Sequence, residues 1–330
     1  MKRKKQSAEY PPIQFIKSIP EIPDASYFSD LADCDNHYAE VKDIRKYGIR
    51  ETQRLLFSRT AFVAADWARY KQAYKITPEL ANDLFSMDDL SFPAGSIKMP
   101  FRTVYFDLSD LHWPSTGAGV SKDMHAFAEG VFLTYGTVKY DGEDAGFAGF
   151  VILTGVPETK ELLFGGISFA VDDTDSSKTL GDLIDANAGT PEVRQVLKNI
   201  LLLAAYISSA KPDILENEEQ KQYYRPSTKL KASAVRKWDV GIRYANEVRH
   251  RNAVVETAEN HHGTGRSPRP HIRKAHWHIY RVGPGRKETK VLWLAPIEVN
   301  CNRNKCRDEM PTVIRVPQGH ENITRKTGGK

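Results

Sequence analysis

The spacing of hydrophobic residues predicts helices in the first third of the chain. Between Arg50 and Tyr74, apolar and aromatic side chains stand three and four residues apart, which is typical of one face of an α-helix. The sequence Thr-Pro-Glu that begins at Thr77 combines an N-cap residue, a first-turn proline and a first-turn acid, and it predicts the start of a short second helix. We therefore expect a helical region over residues 31–95.

Beyond residue 95 the apolar residues alternate with polar ones, as in β-strands with one buried face. The strand candidates are residues 102–108, 130–140, 146–153 and 162–171. A second Thr-Pro-Glu sequence, at Thr190, begins a helix that is apolar on most sides up to Ile207. This helix is expected to be buried at the centre of the fold. The strands do not alternate with helices, which favours an antiparallel or mixed sheet.

Three stretches predict little regular structure. Residues 1–30 contain four prolines and are expected to be extended or disordered. Residues 213–232 are polar and predict a loop, and residues 317–330 have few apolar side chains and are expected to fray. The body of the fold is therefore expected over residues 96–316.

The C-terminal part of this body predicts a β-hairpin. Residues 276–282 and 290–295 alternate in polarity, and the sequence Gly-Pro-Gly-Arg from Gly283 lies between them as a turn. The predicted fold class is α+β. A helical N-terminal part is followed by a mixed or antiparallel sheet that packs on a central apolar helix, and a basic β-hairpin lies near the C-terminus.

The charge distribution indicates that the protein binds a partner through its C-terminal part. The net charge is only +5, but residues 231–330 hold 21 Lys and Arg against 9 Asp and Glu. The other residues hold 26 basic and 33 acidic groups. Such asymmetry indicates a basic, partner-facing C-terminal part that suits a polyanion or an acidic peptide.

Basic, imidazole and aromatic side chains concentrate in and just before the hairpin. Arginine binds carboxylates and phosphates through paired hydrogen bonds, and aromatic rings add stacking surface or protein-interface contacts. The candidate residues for binding a partner or a nucleic acid are Arg243, Arg249, Arg269, His271, Arg273, Lys274, His276, Trp277, His278, Tyr280, Arg281, Arg286 and Lys287. Their types alone do not distinguish an RNA groove from a peptide groove.

A zinc site is a weaker interpretation of the same segment. His276 and His278 lie two apart on a predicted strand, so both project from one face, whereas Trp277 and Ile279 fill the opposite, apolar face. His271, or the pair Cys301 and Cys306, could complete a zinc site, but the cysteine spacing is looser than usual. No metal and no cofactor is therefore assigned.

Catalysis is also a weaker interpretation than binding. Imidazoles beside cations can cleave RNA by moving protons and stabilising phosphate charge. Asp107 and Asp110 follow a predicted strand, where carboxylates could hold magnesium in a nuclease, but such aspartates are usually turn residues. The sequence defines no acid–base pair, so we expect no enzyme and assign no catalytic residue.

Composition places the chain among globular proteins, with 40% hydrophobic and 27% charged residues. Three cysteines, Cys34, Cys301 and Cys306, do not make a disulfide framework, and a reducing cytoplasm fits them. No apolar stretch reaches the roughly 18 residues that a membrane span needs, so no membrane partner is expected.

The C-terminal motif resembles that of the second family of type V-A anti-CRISPR proteins. Its segments are Arg269-Pro270-His271-Ile272-Arg273, His276-Trp277-His278, the glycine turn, Trp293-Leu294-Ala295-Pro296 and Val299-Asn300. Further stretches are similar in the same order: Val104 to Ser109, Asp172 to Asp175, the apolar helix with Lys211-Pro212-Asp213-Ile214, and Glu247-Val248-Arg249. The resemblance covers about residues 97–300, and the C-terminal motif is its most specific part.

The resemblance implies a phage or plasmid protein that disables the type V-A CRISPR effector nuclease in the cytoplasm of the bacterial host. Members of this family are understood to recognise effector polypeptide during its synthesis, with loss of the effector's transcript and protein. The implied partner is the effector polypeptide, with its mRNA or the translating ribosome as further candidates. The alternative is an RNA-binding protein, or a metal-independent ribonuclease, that uses the histidine-rich hairpin.

Overall fold

A mixed β-sheet with helices on both faces forms the centre of the molecule. The computed structural model describes residues 9–19, 30–41, 46, 48–114, 126–157, 159–171, 178–259 and 271–299. The helices are α1 (Pro11–Ser18), α2 (Leu31–Glu40), α3 (Arg54–Tyr70), α4 (Pro78–Phe85), α5 (Leu180–Asn187), α6 (Pro191–Ser208), α7 (Glu218–Tyr223) and α8 (Ile242–Glu259). The strands are β1 (Gln72–Ile76), β2 (Thr103–Asp107), β3 (Phe127–Tyr140), β4 (Glu143–Val156), β5 (Glu161–Ala170), β6 (Ile214–Glu216), β7 (Arg236–Val240), β8 (His271–Arg273), β9 (His276–Val282), β10 (Glu288–Leu294) and β11 (Ile297–Val299).

The main sheet has seven strands in the order β5-β4-β3-β2-β1-β7-β6. Strand β1 runs parallel to both of its neighbours, β2 and β7. The other neighbouring pairs of this sheet are antiparallel. Two small antiparallel pairs, β9 with β10 and β8 with β11, follow near the C-terminal end. The predicted α+β class with a mixed sheet and a C-terminal hairpin is confirmed.

Helix α6 is the central helix that the sequence predicts. Its side chains from Leu197 to Ile207 are buried, and they pack with α4 and α5 on one face of the sheet. The helix begins as expected, because the Thr190 hydroxyl accepts a hydrogen bond from the Val193 amide at 3.3 Å and Pro191 occupies the first turn. The other face of the sheet is covered by α1, α2 and α3.

The expectation that residues 1–30 are extended or disordered is wrong for residues 11–18, which form α1. Ile13, Phe15 and Ile16 are at most 2% exposed, and Phe15 packs on Phe132 of β3 with ring centroids 5.5 Å apart. The two prolines favour this helix because they lie in its first turn, where no backbone donor is needed.

The helical region expected over residues 31–95 contains a central strand. Helix α3 ends at Tyr70, where Lys71 adopts a left-handed conformation (φ 49°) and its amide bonds to the Trp67 carbonyl at 2.7 Å. Strand β1 then begins at Gln72. Tyr74, which the helical pattern included, is a buried strand residue. The aromatic spacing continued across the helix end and concealed this change.

Residues 213–232 are also more ordered than the sequence predicts. They include the edge strand β6 and helix α7, and the Asn217 side chain caps α7 by accepting from the Gln220 amide at 2.9 Å. The predicted tail at residues 317–330 lies outside the described residues. Within the described part of the chain, no helix is long and apolar enough to cross a membrane.

Candidate functional site

The basic hairpin, residues 276–294, is held to the body by one of its two faces. The register pairs Trp277 with Trp293 and Ile279 with Val291. Trp277, Val291 and Trp293 are each 7% exposed and belong to the same apolar cluster as helix α6. The backbone adds a further tie, because the Ala210 amide donates to the Val291 carbonyl at 3.0 Å. The hairpin is therefore positioned by burial of its indole face.

Trp277 is placed differently from the binding role that its type predicted. Its ring packs against Phe92 and Trp293, with centroids 5.1 and 4.9 Å away. It therefore offers no stacking surface to a partner. Ile279 is the opposite case, because it was expected in the apolar face but is 41% exposed. The core thus covers only the half of the hairpin that lies away from the turn.

The outer face of the hairpin carries the imidazoles and the tyrosine. His278 and Tyr280 are exposed and contact each other, with ring centroids 4.3 Å apart. His276 lies on the same face, partly buried, and its Nδ1 is 3.3 Å from the Lys274 carbonyl oxygen. The prediction that His276 and His278 share a face opposite Trp277 is confirmed. This face can stack on a planar group and donate hydrogen bonds.

The turn presents its cations at the tip of the hairpin. Gly283 and Gly285 have φ of 78° and 67°, which L side chains rarely adopt, and Arg286 follows at φ 54°. Arg286 and Lys287 are exposed there. The only acid between residues 276 and 294 is Glu288. The tip is therefore a local concentration of positive charge.

The cations of this region have no carboxylate partners within the described residues. They are Arg273, Lys274, Arg281, Arg286, Lys287 and Lys290, and all six are exposed. Exposed cations that are close together and unpaired repel one another, and an anionic partner removes that repulsion. This surface is therefore suited to binding a negatively charged partner.

Arg243 and Arg249 lie on helix α8 and are engaged within the molecule. Arg243 Nε lies 2.6 Å from Asp213 Oδ1, and Arg249 Nε lies 2.6 Å from Glu79 Oε1. Both arginine side chains remain more than half exposed. These pairs connect α8 to neighbouring segments, so the two arginines have a structural role beside any role in binding.

The remaining predicted residues lie before the hairpin. His271 and Arg273 are on β8, which pairs with β11 in the register His271 to Val299 and Arg273 to Ile297. Arg269 lies outside the described residues, as do Cys301 and Cys306. No three His, Cys, Asp or Glu side chains of the described segments are grouped as metal ligands. Sequence reasoning missed Ile297, which is 46% exposed and adds apolar surface near Arg273.

Comparison with known proteins identifies the family. The sequence model of the AcrVA2-like family, described as the Anti-CRISPR type V subtype A2 family, matches residues 74–301. The chain belongs to this family. Protein FinQ of Escherichia coli is 23% identical over 269 residues, which cover 71% of this chain and 74% of FinQ. The crystal structure of AcrVA2 superposes with a TM-score of 0.54 and 18% identity, covering 88% of this chain and 93% of AcrVA2.

The family match shows which part of this anti-CRISPR protein is common to its family. The matched residues run from β1 through the basic hairpin to β11 and leave out α1, α2 and α3. The structural match supports the same fold over most of the chain. The resemblance stated from the sequence is therefore confirmed, and membership of the family implies a CRISPR effector as partner.

Proposed function

We propose that this anti-CRISPR protein counters the type V-A effector nuclease by recognising effector polypeptide during translation, which lowers the effector's transcript and protein. The family match over residues 74–301 carries this proposal. The exposed cations of the hairpin, which have no carboxylate partner within the described residues, and the ring pair of His278 and Tyr280 support it, because arginine and aromatic side chains dominate protein recognition.

The contact surface proposed for the polypeptide combines three chemistries. His278, Tyr280 and Lys290 lie on the outer face and supply hydrogen bonds, ring surface and positive charge. Near the turn, where the core does not cover the face of Trp277, Ile279 supplies an apolar contact, and Arg281 and Lys287 supply further positive charge. A peptide with acidic and aromatic side chains would match this mixture. Since the indole face fixes the hairpin, the outer face needs little ordering on binding, which favours affinity.

The decisive experiment compares two effector genes that encode the same polypeptide with different codons. Each is co-expressed with the protein, and effector transcript and protein are measured against an unrelated control protein. We expect both genes to be silenced to the same extent, because the polypeptide is what is recognised. Silencing of the native codons alone would refute polypeptide recognition.

A pull-down tests the surface itself. The variant Arg281→Ala/Lys287→Ala removes two exposed cations from the hairpin, and Lys229→Ala/Lys231→Ala removes two exposed cations elsewhere. We expect only the hairpin variant to lose effector, with or without ribonuclease treatment. Equal capture by both variants would place the effector contact away from the hairpin.

RNA binding, with or without cleavage, is the second candidate. The ring pair of His278 and Tyr280 lies among cations, which is a common arrangement for stacking bases of single-stranded RNA. Purified protein is incubated with labelled RNA in the presence of a chelator. Cleavage that His276→Ala or His278→Ala abolishes would favour a metal-independent ribonuclease, whereas intact RNA after long incubation would dispose of it.

A further inference from the structure

A crevice of about 340 Å³ lies over the three parallel strands, on the sheet face opposite α6, and extends from Lys237 near the start of β7 to Asp107 at the end of β2. It falls within the size range of small-molecule sites, roughly 300–1,000 Å³. Strands β1, β2 and β7 form its floor, helix α7 forms one wall, and Tyr10 before α1 forms another. Lys75, Asp107 and Asp239 lie toward the carboxyl ends of these strands, which is where open sheets commonly bind ligands.

The floor of the crevice is a row of alternating charges. The register places Lys75 of β1 directly between Asp107 of β2 and Asp239 of β7. Lys75 Nζ forms an ion pair with Asp110 Oδ2 at 2.8 Å. In the chain, Lys75 is 32 residues from Asp107 and 164 residues from Asp239. Only the parallel pairing of the three strands brings these side chains together.

The acids of the crevice are held by donors of the protein. Asp107 Oδ2 accepts from the Tyr10 hydroxyl at 3.1 Å, and its Oδ1 accepts from Ser109 Oγ at 2.7 Å. Asn217 Nδ2 lies 2.9 and 3.1 Å from the two carboxylate oxygens of Asp239. Burial and the adjacent Asp107 hold the pKa of Tyr10 well above its usual value, so this hydroxyl stays a donor.

Lys237 is the exception in this paired set. Its Nζ lies 4.0 Å from the centre of the Tyr10 ring. Within the described residues, its ammonium group has no carboxylate or carbonyl acceptor. Burial lowers the pKa of Lys237, and the nearby cation of Lys75 adds to this, against the opposing effect of Asp107 and Asp239. A half-buried ammonium with no acceptor is costly unless something supplies one.

We propose that the crevice is a binding site for a carboxylate, which accepts hydrogen bonds from the Lys237 ammonium above the ring of Tyr10. The site is separate from the basic hairpin and does not rest on the function proposed for it. A hydrogen-bond donor next to the carboxylate would reach the oxygens of Asp239 or of Glu219 at the mouth. An amino acid and the C-terminal residue of a peptide both have this pairing of groups.

The surrounding acids favour a carboxylate over a phosphate. Asp107, Asp239 and Glu219 line the same small volume as the two lysines. The three carboxylates repel any anion, but they repel a phosphate dianion about twice as strongly as a carboxylate, which carries one negative charge. The mixed charge therefore selects a weakly charged or zwitterionic ligand.

The experiment titrates the full-length protein with four probes: glycine, the tripeptide Gly-Gly-Gly, the C-terminal amide of that tripeptide, and inorganic phosphate. Binding is followed by NMR of the lysine side chains, where the Lys237 signal is identified by its loss in Lys237→Met. A carboxylate acceptor should raise the pKa of Lys237 and shift its signal. Glycine or the free tripeptide should saturate this shift in the millimolar range, and the amide and phosphate should not.

Three variants separate the site from general effects on folding, with Kd measured by calorimetry. Lys237→Met keeps the aliphatic stem and should weaken binding by about 10- to 100-fold, as expected for a hydrogen bond to a charged group. Asp239→Asn removes a charge that repels the carboxylate and keeps an oxygen that accepts a hydrogen bond. It should therefore tighten binding of the tripeptide, whose neighbouring donor is a neutral amide, by about two- to fivefold. Lys139→Met, at an exposed ion pair on β3, should change nothing. Opposite changes within one crevice cannot arise from partial unfolding.

The result can contradict the proposal in distinct ways. Equal binding of the amide and the free tripeptide, or binding that survives Lys237→Met, would refute a carboxylate site at this lysine. A response to phosphate alone would refute the selection of a carboxylate, and no saturable response to any probe would refute the site. Tighter binding of the tripeptide than of glycine would assign a peptide end as the ligand. The reverse order would assign a free amino acid, and both orders support the proposal.

Discussion

The basic hairpin and the strand-end crevice use charge in opposite ways. On the hairpin, cations that are close in sequence project outward and find no acid within the described residues. In the crevice, Asp107, Lys75 and Asp239 come from distant strands and face one another. The hairpin therefore offers a broad field to a large partner. The crevice combines three carboxylates with two ammonium groups, and within the described residues the Lys237 ammonium has no carboxylate or carbonyl acceptor.

The difference shows what each region requires from the fold. The hairpin needs only an anchor, since its outer face is already exposed. The crevice needs the correct register of three parallel strands, because a shift of one residue would turn its charged side chains to the other face. Mutations that loosen the anchor should therefore lower stability and impair binding by the hairpin, but in the folded protein they should leave the ligand site of the crevice intact.

Trp277→Ala is expected to have the largest effect, a loss of about 3–5 kcal/mol in the free energy of unfolding, because it removes a buried ring from between Phe92 and Trp293. Chemical denaturation measures the loss. Trp277→Phe is the matched control and should cost much less. It keeps an aromatic ring and removes an indole N–H that has no acceptor within the described residues.

The same pair of variants tests whether the hairpin acts as a separate unit. At a temperature where Trp277→Ala is still folded, effector capture should fall while ligand shifts at Lys237 persist. Loss of effector capture and of the ligand shifts together would mean that the hairpin and the crevice are coupled through the core and do not act as separate units.

Asp213→Ala should have the second largest effect, a loss of about 1–2 kcal/mol, because this carboxylate caps helix α8. Its Oδ2 accepts from the Tyr244 amide at 3.0 Å, and its Oδ1 pairs with Arg243. Arg243→Ala separates the two contributions and should cost less than about 1 kcal/mol, since its side chain is 57% exposed. Equal costs in thermal unfolding would show that the ion pair, not the cap, positions α8.

Local patterns predicted the hairpin and the central helix well. The alternation from His276 to Val282 and the glycine turn specify a hairpin within one short segment. The Thr-Pro-Glu sequence at Thr190 specifies a capped helix in the same way. In both cases the residues that determine the structure are neighbours in the chain, so their chemistry can be inferred without the fold.

The crevice could not be predicted, because its residues meet only through long-range pairing. Strand β1 was hidden within a helical spacing, and β7 begins a segment of mixed character. Trp277 shows a second limit. Its type fits either an interface or a core, and only the position of Phe92, far away in sequence, decides for the core. The sequence indicates Asp107 as an acid at the end of a strand, but it does not indicate that Lys75 lies beside it.

Lys237→Met should raise stability modestly near neutral pH, by an amount that shrinks as pH rises. Because burial lowers the pKa of Lys237 in the folded state, the unfolded chain binds more protons between that value and the unfolded value near 10.5. The native protein therefore gains stability through this window, whereas the variant lacks that gain. Below the window the cost of the buried charge is fully present.

Thermal unfolding of the native protein and the variant across alkaline pH measures this difference. Lys139→Met is the control, since the exposed Lys139 pairs with Asp144 at 2.8 Å. A stability difference for Lys237→Met that grows with pH would show that burial of the Lys237 ammonium costs little in the folded state. The physical reason for proposing a carboxylate ligand at Lys237 would then be removed.

The hairpin variant Arg281→Ala/Lys287→Ala should have the smallest effect on stability, within about 0.5 kcal/mol, because both side chains are exposed and unpaired within the described residues.

The effect of this hairpin variant on effector binding should be larger and should depend on salt. Added salt screens exposed charges, so the native protein should lose effector affinity as salt rises, and the variant should lose less. Isothermal titration at two salt concentrations measures both slopes, with Lys229→Ala/Lys231→Ala as the charge-matched control. Identical slopes for all three proteins would mean that the effector is held by apolar and hydrogen-bond contacts, and that the outward cations serve solubility alone.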